Sequence, residues 1–191
     1  SKSCAILWTE MKQHYEVFSK NDANYVPLSP LSFIKRTADL FPDRTAIIYG
    51  DRRYSWAESY ARMRQLASAL EGAGLGIGDT VSVIAANTPE MFEAHYGVPM
   101  AGCVLNTINT RLEAETITYI LENSDCRLLI VDTVFHETVV VALTSLDPVV
   151  RDRIKIIDIR DPLAGEMPHI GKQDYEAFIG AGDPAYDWQM P

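Results

Sequence analysis

The segment GDTVSVIAANTPEMFEAHYGVPMAGCVLNTINTRLEAETITYILENSDCRLLIVD, which runs from Gly78 to Asp132, decides the fold class of this chain. Short apolar runs alternate in it with longer stretches of helical spacing. The run from Thr80 to Ala85 is almost continuously apolar, which is typical of a strand covered on both faces. Repeated strand–helix units predict parallel strands joined by right-handed crossovers. The sequence therefore predicts an α/β fold with a mostly parallel sheet and helices on both of its faces.

A hairpin-plus-helix unit is predicted ahead of this sheet. Two β-rich runs flank Gly50 and Asp51, a pair typical of a tight hairpin turn. Ser55 and Glu58 have the spacing of a capping box, and Ser32 is the candidate N-cap of an earlier helix. We expect strands at 45–49, 52–55, 80–85, 103–106, 127–131 and 153–159, and helices at 31–41, 55–73, 89–101, 114–123, 135–146 and 173–179.

The change of pattern along the chain predicts its division into parts. We expect an N-terminal extension (1–24), a helix/hairpin/helix unit of a neighbouring subdomain (25–75) and a parallel α/β subdomain (76–191). The extension has Met11, Tyr15 and Phe18 at helical spacing. The apolar face of the 55–73 helix is too wide for the hairpin to cover. We therefore expect an exposed apolar patch there, covered in the assembled protein by a second copy or by further chain.

Composition and charge exclude several classes of function. A formal charge of −9 leaves no excess of Lys and Arg to replace the counterions of a nucleic acid or to attract an anionic membrane. No run approaches the roughly 20 apolar residues of a membrane-spanning helix. The three cysteines, Cys4, Cys103 and Cys126, have no metal-ligand spacing. These features predict a reducing, cytoplasmic compartment with no nucleic-acid partner and no membrane span.

The glycine-rich segment from Gly72 to Gly78 has the wrong order for a dinucleotide-binding loop. Such a loop leaves a strand and opens a helix, whereas these glycines leave a helix and enter a strand. We interpret them as a helix end and a turn, which disfavours a Rossmann oxidoreductase. The four histidines are scattered, and no serine has a G-x-S-x-G context. The sequence therefore contains no complete catalytic constellation.

Polar residues follow three of the predicted strands, at the edge where open parallel sheets bind ligands. They are Asn87 and Thr88, then Asn106, Thr107 and Asn109, then Asp132 and Thr133. Arg111 follows the second group and has the charge to hold a phosphate or a carboxylate. We take Asn109 and Arg111 as candidate cofactor-binding residues. The alternative is that these residues cap helices and satisfy loop backbone.

Residues 97–112, GVPMAGCVLNTINTRL, resemble a segment of the AMP-forming acyl-CoA synthetases of the adenylate-forming superfamily. The pattern there runs V-P, two small or apolar residues, then G-x-V-L-x-T-x-N-x-R-L. The closest branch acts on medium-chain and related carboxylic acids. Four other stretches are similar in the same order: YVPLSP at 25–30, FPDRTA at 41–46, RYSW at 53–56 and NTPE at 87–90. The ordered set is specific, although no single piece is.

The resemblance implies a two-step ligase. A carboxylic (fatty) acid attacks the α-phosphate of ATP to give an acyl-adenylate, with Mg²⁺ offsetting charge, and coenzyme A then displaces AMP. In that family the Ser/Thr/Gly-rich phosphate loop, with its lysine, lies downstream of the counterpart of Pro191. The resemblance therefore implies an N-terminal portion that is inactive by itself and has no catalytic or metal-binding residues of its own.

The partners implied are the acid substrate and the downstream part of the same chain, and a homo-oligomer is left open. From the residues alone, a different class of function also stays open. The alternative is a non-catalytic, flavodoxin-like nucleotide-binding or interaction module, which is supported only by the strand–helix alternation.

Overall fold

The computed structural model describes residues 21, 25 and 28–189, and the elements below lie within those residues. The helices are α1 (Pro30–Leu40), α2 (Trp56–Gly72), α3 (Pro89–Met100), α4 (Ala114–Asn123), α5 (His136–Ser145), α6 (Pro148–Arg153) and α7 (Tyr175–Gly180). The strands are β1 (Thr45–Tyr49), β2 (Arg52–Ser55), β3 (Thr80–Ile84), β4 (Val104–Thr107), β5 (Cys126–Asp132), β6 (Lys155–Ile159) and β7 (Gln173–Asp174). None of the described helices is long and apolar enough to cross a membrane.

A five-stranded parallel sheet forms the centre of the fold, with the strand order β4-β3-β5-β6-β7. Val83 of β3 lies opposite Thr107 of β4 and Ile130 of β5. Every residue of β3 is buried, as expected for a strand with neighbours on both sides and helices on both faces. The predicted parallel α/β fold is confirmed, and β1 and β2 form the predicted antiparallel hairpin.

Helices cover both faces of this sheet, and the side chains of β5 alternate between the two layers. Leu128 and Ile130 belong to the layer that contains residues of α2, α3 and α7. Leu129 and Val131 belong to the layer that contains residues of α4 and α5. Two apolar cores therefore lie back to back across one sheet.

Helix α2 is part of this layered core. Leu66 and Leu70 are fully buried in the layer on the sheet, and Met63 is fully buried in a third cluster with residues of α1. The expectation of an exposed apolar patch on the 55–73 helix is therefore wrong. Residues of α1, α3 and α7 cover the face that the hairpin is too small to cover. The division expected at residue 75 stays a prediction.

Several local signals are confirmed. Ser55 Oγ accepts a hydrogen bond from Glu58 N, and the Glu58 carboxylate accepts one from Ser55 N at 2.7 Å, which completes the capping box. Helix α2 ends at Gly72, and Gly74 and Gly78 have φ angles of 84° and 88°, a region that favours glycine. The glycine-rich segment is therefore a helix end and turn, as interpreted.

Helix α1 begins earlier than predicted, because Ser29 rather than Ser32 is its N-cap. Ser29 Oγ accepts a hydrogen bond from Leu31 N at 3.2 Å. Pro30 occupies the first turn, where a backbone N–H has no acceptor within the helix, so that the lack of an N–H in proline costs no hydrogen bond. The Ser32 hydroxyl donates instead to the Ser29 carbonyl at 2.7 Å.

Two short elements, α6 and β7, were not predicted. The Asp147 carboxylate accepts from Val149 N at 2.8 Å and caps α6, which is separated from the end of α5 by only two residues. The strand expected at 153–159 therefore begins only at Lys155. Strand β7 exists because Gln173 lies opposite Ile157, a pairing that local sequence does not encode. The stretch around Met11, Tyr15 and Phe18 lies outside the described residues.

Candidate functional site at the carboxyl edge of the sheet

Polar side chains gather where the parallel strands end, as the sequence predicts. Thr88 follows β3, Asp132 ends β5, and Asp161 follows β6. All three are buried, with exposed fractions of 3%, 1% and 8%. The register sets Asp132 opposite Ile159, so that β5 and β6 end level with each other. Parallel topology therefore brings residues from distant parts of the chain to one edge.

The β1–β2 hairpin is fastened to this edge by two charged contacts. The Tyr49 hydroxyl donates to an Asp161 carboxylate oxygen at 2.5 Å. Arg52 Nη1 donates to Glu90 Oε1 at 2.6 Å, and the Arg52 guanidinium lies over the Tyr49 ring at 5.0 Å. We call these contacts the hairpin latch. The sequence analysis did not predict the latch, because Tyr49 and Asp161 lie 112 positions apart and Arg52 and Glu90 lie 38 positions apart.

Burial and neighbouring charge shape the ionisation of the latch and its surroundings. Burial raises the pKa of Asp132, and the negative charges of Asp161 and Glu90 raise it further, while a hydrogen bond from Val134 N opposes the rise. The hydrogen bond to Asp161, together with burial, raises the pKa of Tyr49 to about 12. Within the described residues, three carboxylates therefore face one arginine and a neutral phenol. A ligand here would meet negative rather than positive charge.

Some buried polar atoms at this edge have no hydrogen-bond partner among the described residues. They are the Thr88 hydroxyl, Glu90 Oε2, and Nε and Nη2 of Arg52. Thr88 occupies the N-cap position of α3, yet its hydroxyl makes no bond to the first turn. Buried atoms of this kind usually bind water or a ligand. In the described part of the chain, no group of three or more His, Cys, Asp or Glu side chains could hold a metal ion.

A cavity of about 440 Å³ opens between the hairpin and α3, beside the latch. Its lining is mostly apolar and aromatic: Ile47, Ile48, Tyr49, Asn87, Thr88, Pro89, Met91, Phe92, His95 and Tyr96. We call it the hairpin cavity. The rings of Phe92 and Tyr96 meet edge to face at 5.3 Å. His95 is exposed, and its Nδ1 bonds to the Met91 carbonyl at 2.8 Å. The lining suits an uncharged apolar group better than an anion.

A second group of ionic side chains, centred on Arg62, connects α2, α3 and α7. Arg62 of α2 donates to Glu93 of α3 at 2.5 Å and to Glu176 of α7 at 2.6 Å. The buried Tyr175 hydroxyl also donates to Glu93, at 2.9 Å. Burial raises the pKa of Glu93, although Arg62 opposes the rise. These contacts join α2, α3 and α7.

The candidate residues Asn109 and Arg111 lie on the loop that follows β4. The start of the loop is fixed by Ile108, which is buried and whose N–H donates to the Val83 carbonyl at 2.9 Å. Asn109 Oδ1 accepts from Arg111 N at 2.9 Å, so Asn109 shapes the turn that presents Arg111. Both residues are exposed, and no ion pair involving the Arg111 guanidinium is found within the described residues. An exposed arginine on an anchored loop is suited to hold a phosphate.

The model of one protein family, described as AMP-binding enzyme, matches residues 34–186. This chain belongs to the AMP-binding enzyme family. The matched range includes the hairpin latch, the hairpin cavity and the loop with Asn109 and Arg111. The family and the resemblance inferred from residues 97–112 therefore agree.

Curated relatives of this AMP-binding chain are acyl-CoA ligases. It is 42% identical over 180 residues to the acetate–CoA ligase CCL3 of Humulus lupulus, covering 90% of this chain and 32% of the relative. It is 40% identical over 165 residues to the peroxisomal butyrate–CoA ligase AAE11 of Arabidopsis thaliana, covering 85% of this chain and 29% of the relative. The chain thus spans about a third of the length of the relatives it matches.

Solved structures give the same fold. A benzoate CoA ligase from Burkholderia xenovorans LB400 matches with a TM-score of 0.72 and 24% identity, over 86% of this chain and 31% of that protein. The family match favours an AMP-binding enzyme over the flavodoxin-like module as the interpretation of the sequence.

Proposed function

We propose that this chain is the N-terminal portion of an acyl-CoA ligase. The whole enzyme activates a carboxylic acid with ATP to an acyl-adenylate and transfers the acyl group to coenzyme A. The observation that carries the proposal is the family match over residues 34–186. The names of the relatives, which are acetate–CoA and butyrate–CoA ligases, support the reaction class. The parallel sheet, shared with a benzoate CoA ligase, supports the fold assignment.

On this proposal the described residues supply a scaffold and one wall of the active site. The sequence contains no Ser/Thr/Gly-rich loop with a lysine to hold ATP phosphates. ATP and Mg²⁺ therefore bind to other parts of the whole enzyme, where the metal offsets phosphate charge. The acidic surroundings of the hairpin latch also disfavour phosphate there, because Asp132, Asp161 and Glu90 are all buried close together.

Arg111 is the residue that we assign to coenzyme A. Its guanidinium is exposed, and its loop is anchored next to β3 through Ile108. A charge-assisted contact to a phosphate of coenzyme A fits this position, and Asn109 holds the turn in shape. Lysine in place of Arg111 would keep the charge but lose the planar, two-pronged donor.

The substrate class and the compartment are part of the same proposal. We assign a small or medium-chain fatty acid, and hence a place in fatty acid metabolism, in the cytoplasm. The free, buried thiols of Cys103 and Cys126 fit a reducing compartment. The names of two Arabidopsis relatives place those proteins in peroxisomes. Fluorescence microscopy of the whole protein carrying an internal tag distinguishes the two compartments.

The test of function uses the whole enzyme, expressed from its complete coding sequence. With ATP, Mg²⁺, coenzyme A and a panel of acids from acetate to dodecanoate, it should release pyrophosphate and form the matching acyl-CoA. Residues 1–191 alone should release none above background. If the folded whole protein forms no acyl-CoA and no acyl-adenylate with any acid of the panel, the proposal is wrong.

A further inference from the structure

A segment that follows α7 lies along α2 and is held close to it. We call this segment, residues 182–188, the strap. A Cβ at Gly182 would overlap the Gln65 carbonyl oxygen, so only glycine lets the backbone pass this close to the helix. Further along, Arg64 Nε donates to the Tyr186 carbonyl at 3.0 Å. The backbone of the strap is therefore fixed to α2 at two places.

Trp188 fixes the far end of the strap. Its Nε1–H donates to the hydroxyl of the buried Tyr60 at 2.8 Å. The Arg64 guanidinium lies over the Tyr60 ring at 5.3 Å, so the side chains that hold the strap also contact each other. The Trp188 side chain packs against an apolar cluster that contains residues of α1 and α2. An indole that has both apolar packing and a hydrogen-bond partner fixes the direction of the chain as well as its position.

The contacts of the strap follow α2 from its second half toward its first turn. Gly182 lies against Gln65 and Ala69, whereas Trp188 bonds to Tyr60. From Ala69 to Tyr60 the helix rises by about 14 Å. Helix α2 ends just ahead of β3, so its first turn lies at the carboxyl edge of the sheet, beside the hairpin. The strap therefore carries the chain toward the edge where open parallel sheets bind ligands.

We propose that the strap delivers the following part of the chain to the carboxyl edge of the sheet. On this inference Tyr60, Arg64 and Trp188 are positioning residues for the part of the enzyme that binds ATP. The inference rests on the proposed function, which assigns ATP to other parts of the whole enzyme. The three residues act through the strap and do not contact ATP.

The physical reason is the number of positions open to the chain beyond the strap. A chain that leaves a fixed point at the ligand-binding edge has few positions to sample, whereas a released chain samples many. When a binding segment is in place in only a fraction of the molecules, the apparent affinity for its ligand falls in proportion to that fraction. Loosening the strap should therefore weaken ATP binding without any change in the residues that contact ATP.

Isothermal titration calorimetry of the whole protein with ATP and Mg²⁺ tests the effect on binding and does not depend on turnover. Replacing Arg64 and Trp188 together with Ala removes two of the side chains that hold the strap. We expect the Kd for ATP to rise roughly tenfold. Tyr60→Phe removes only the acceptor of Trp188 Nε1 and should raise that Kd about twofold to fivefold. This single variant keeps the test valid if the double variant does not fold.

The matched control replaces Tyr119 and Arg151 together with Ala. Both residues are exposed, on α4 and α6, and these helices pack on the other face of the sheet. The control should leave the Kd for ATP within about twofold. The thermal transition of each variant, followed by circular dichroism, shows whether it is folded.

Pulsed electron paramagnetic resonance tests the strap by geometry, without ligand or activity. Nitroxide labels replace Arg53 on the hairpin and Gln189 just beyond the strap, both of which are exposed. In the whole protein we expect one narrow distribution of the distance between the labels. The double variant of Arg64 and Trp188 should broaden this distribution, and the control variant should not.

Two results would overturn the proposal by itself. One is a broad distance distribution in the protein without strap substitutions, because the strap then does not hold the chain. The other is an unchanged Kd for ATP in a folded variant whose distribution has broadened, which would make the strap a structural element only. A protein that binds ATP but forms neither acyl-adenylate nor acyl-CoA would count against the proposed function instead, and absence of ATP binding would overturn both.

Discussion

The hairpin latch and the loop after β4 lie at the same end of the sheet but are held in opposite ways. In the latch, the charged partners Glu90 and Asp161 are only 3% and 8% exposed. They are engaged by Arg52 and Tyr49 from a distant hairpin. In the loop, Arg111 is exposed, and among the contacts of the described residues only its backbone N–H is engaged, by Asn109.

This difference separates the residues that stabilise the edge from the residue that is free to bind. A buried charge depends on its partner, because removing the partner leaves the cost of burying the remaining charge uncompensated. An exposed cation without a protein partner contributes little to stability and keeps its donors for a ligand. Substitutions in the two regions should therefore affect different measurements.

Arg52→Ala should give the largest loss of stability, because it leaves the Glu90 carboxylate buried without its arginine. We expect the free energy of unfolding to fall by about 3 kcal/mol, measured by urea denaturation. Arg53→Ala changes the exposed neighbour on the same strand and should cost no more than about 0.5 kcal/mol. Adding Glu90→Gln to Arg52→Ala should restore part of the loss. Equal effects of the two arginine variants would show that the latch does not stabilise the edge.

Tyr49→Phe should have the next largest effect, since it removes a hydrogen bond to a carboxylate. The expected loss is about 1.5–3 kcal/mol at neutral pH. The folded state keeps the phenol proton up to a pKa of about 12, whereas the unfolded state releases it near about 10. Stability should therefore fall as pH rises from about 10 to about 12.

The Tyr49→Phe variant should lack this part of the alkaline loss. The exposed Tyr119, replaced in the same way, is the control and should keep it. An unchanged alkaline profile in Tyr49→Phe would contradict the assignment of the proton to this hydroxyl.

Asp132→Asn should produce a small gain in stability at neutral pH. Its pKa is raised in the folded state, mainly by burial, so the folded state binds a proton more readily than the unfolded state. Stability from this group is therefore lost as pH rises from the ordinary value of 3.8 through the raised pKa. Asparagine keeps the acceptor for Val134 N and removes the charge. We expect a rise in Tm on the order of 2 °C at pH 7 and none near pH 3.

The exposed Asp187 is the control for that measurement. Asp187→Asn should leave Tm unchanged at both pH values. A fall in Tm for Asp132→Asn at pH 7 would show that the ionised carboxylate stabilises the edge instead.

Sequence reasoning reached the features that neighbouring residues determine. Helix α4 begins at Ala114 and ends at Asn123, as predicted, and the capping box at Ser55 marks the start of α2. It failed where two local signals compete: Ser29 and Ser32 can both cap a helix, and Pro30 decides between them.

The latch was beyond such reasoning for a physical reason. Tyr49 and Asp161 meet because right-handed crossovers bring the ends of separate strands to one edge, and 112 positions separate them in sequence. The candidate residues Asn109 and Arg111 were accessible to sequence reasoning. Open parallel sheets bind ligands beyond the carboxyl ends of their strands, and the end of a single strand can be located from the sequence alone. Their role in binding remains a prediction.

The central claim is that Arg111 binds a ligand and does not stabilise the fold, and steady-state kinetics of Arg111→Ala in the whole enzyme tests it most directly. Losing a charge-assisted phosphate contact should cost about 1.5–3 kcal/mol of binding. We therefore expect the KM for coenzyme A to rise by roughly one to two orders of magnitude, with KM for ATP and Tm almost unchanged. Asn109→Ala should have a smaller effect in the same direction. A lower Tm with an unchanged KM for coenzyme A would contradict the claim and make Arg111 a structural residue.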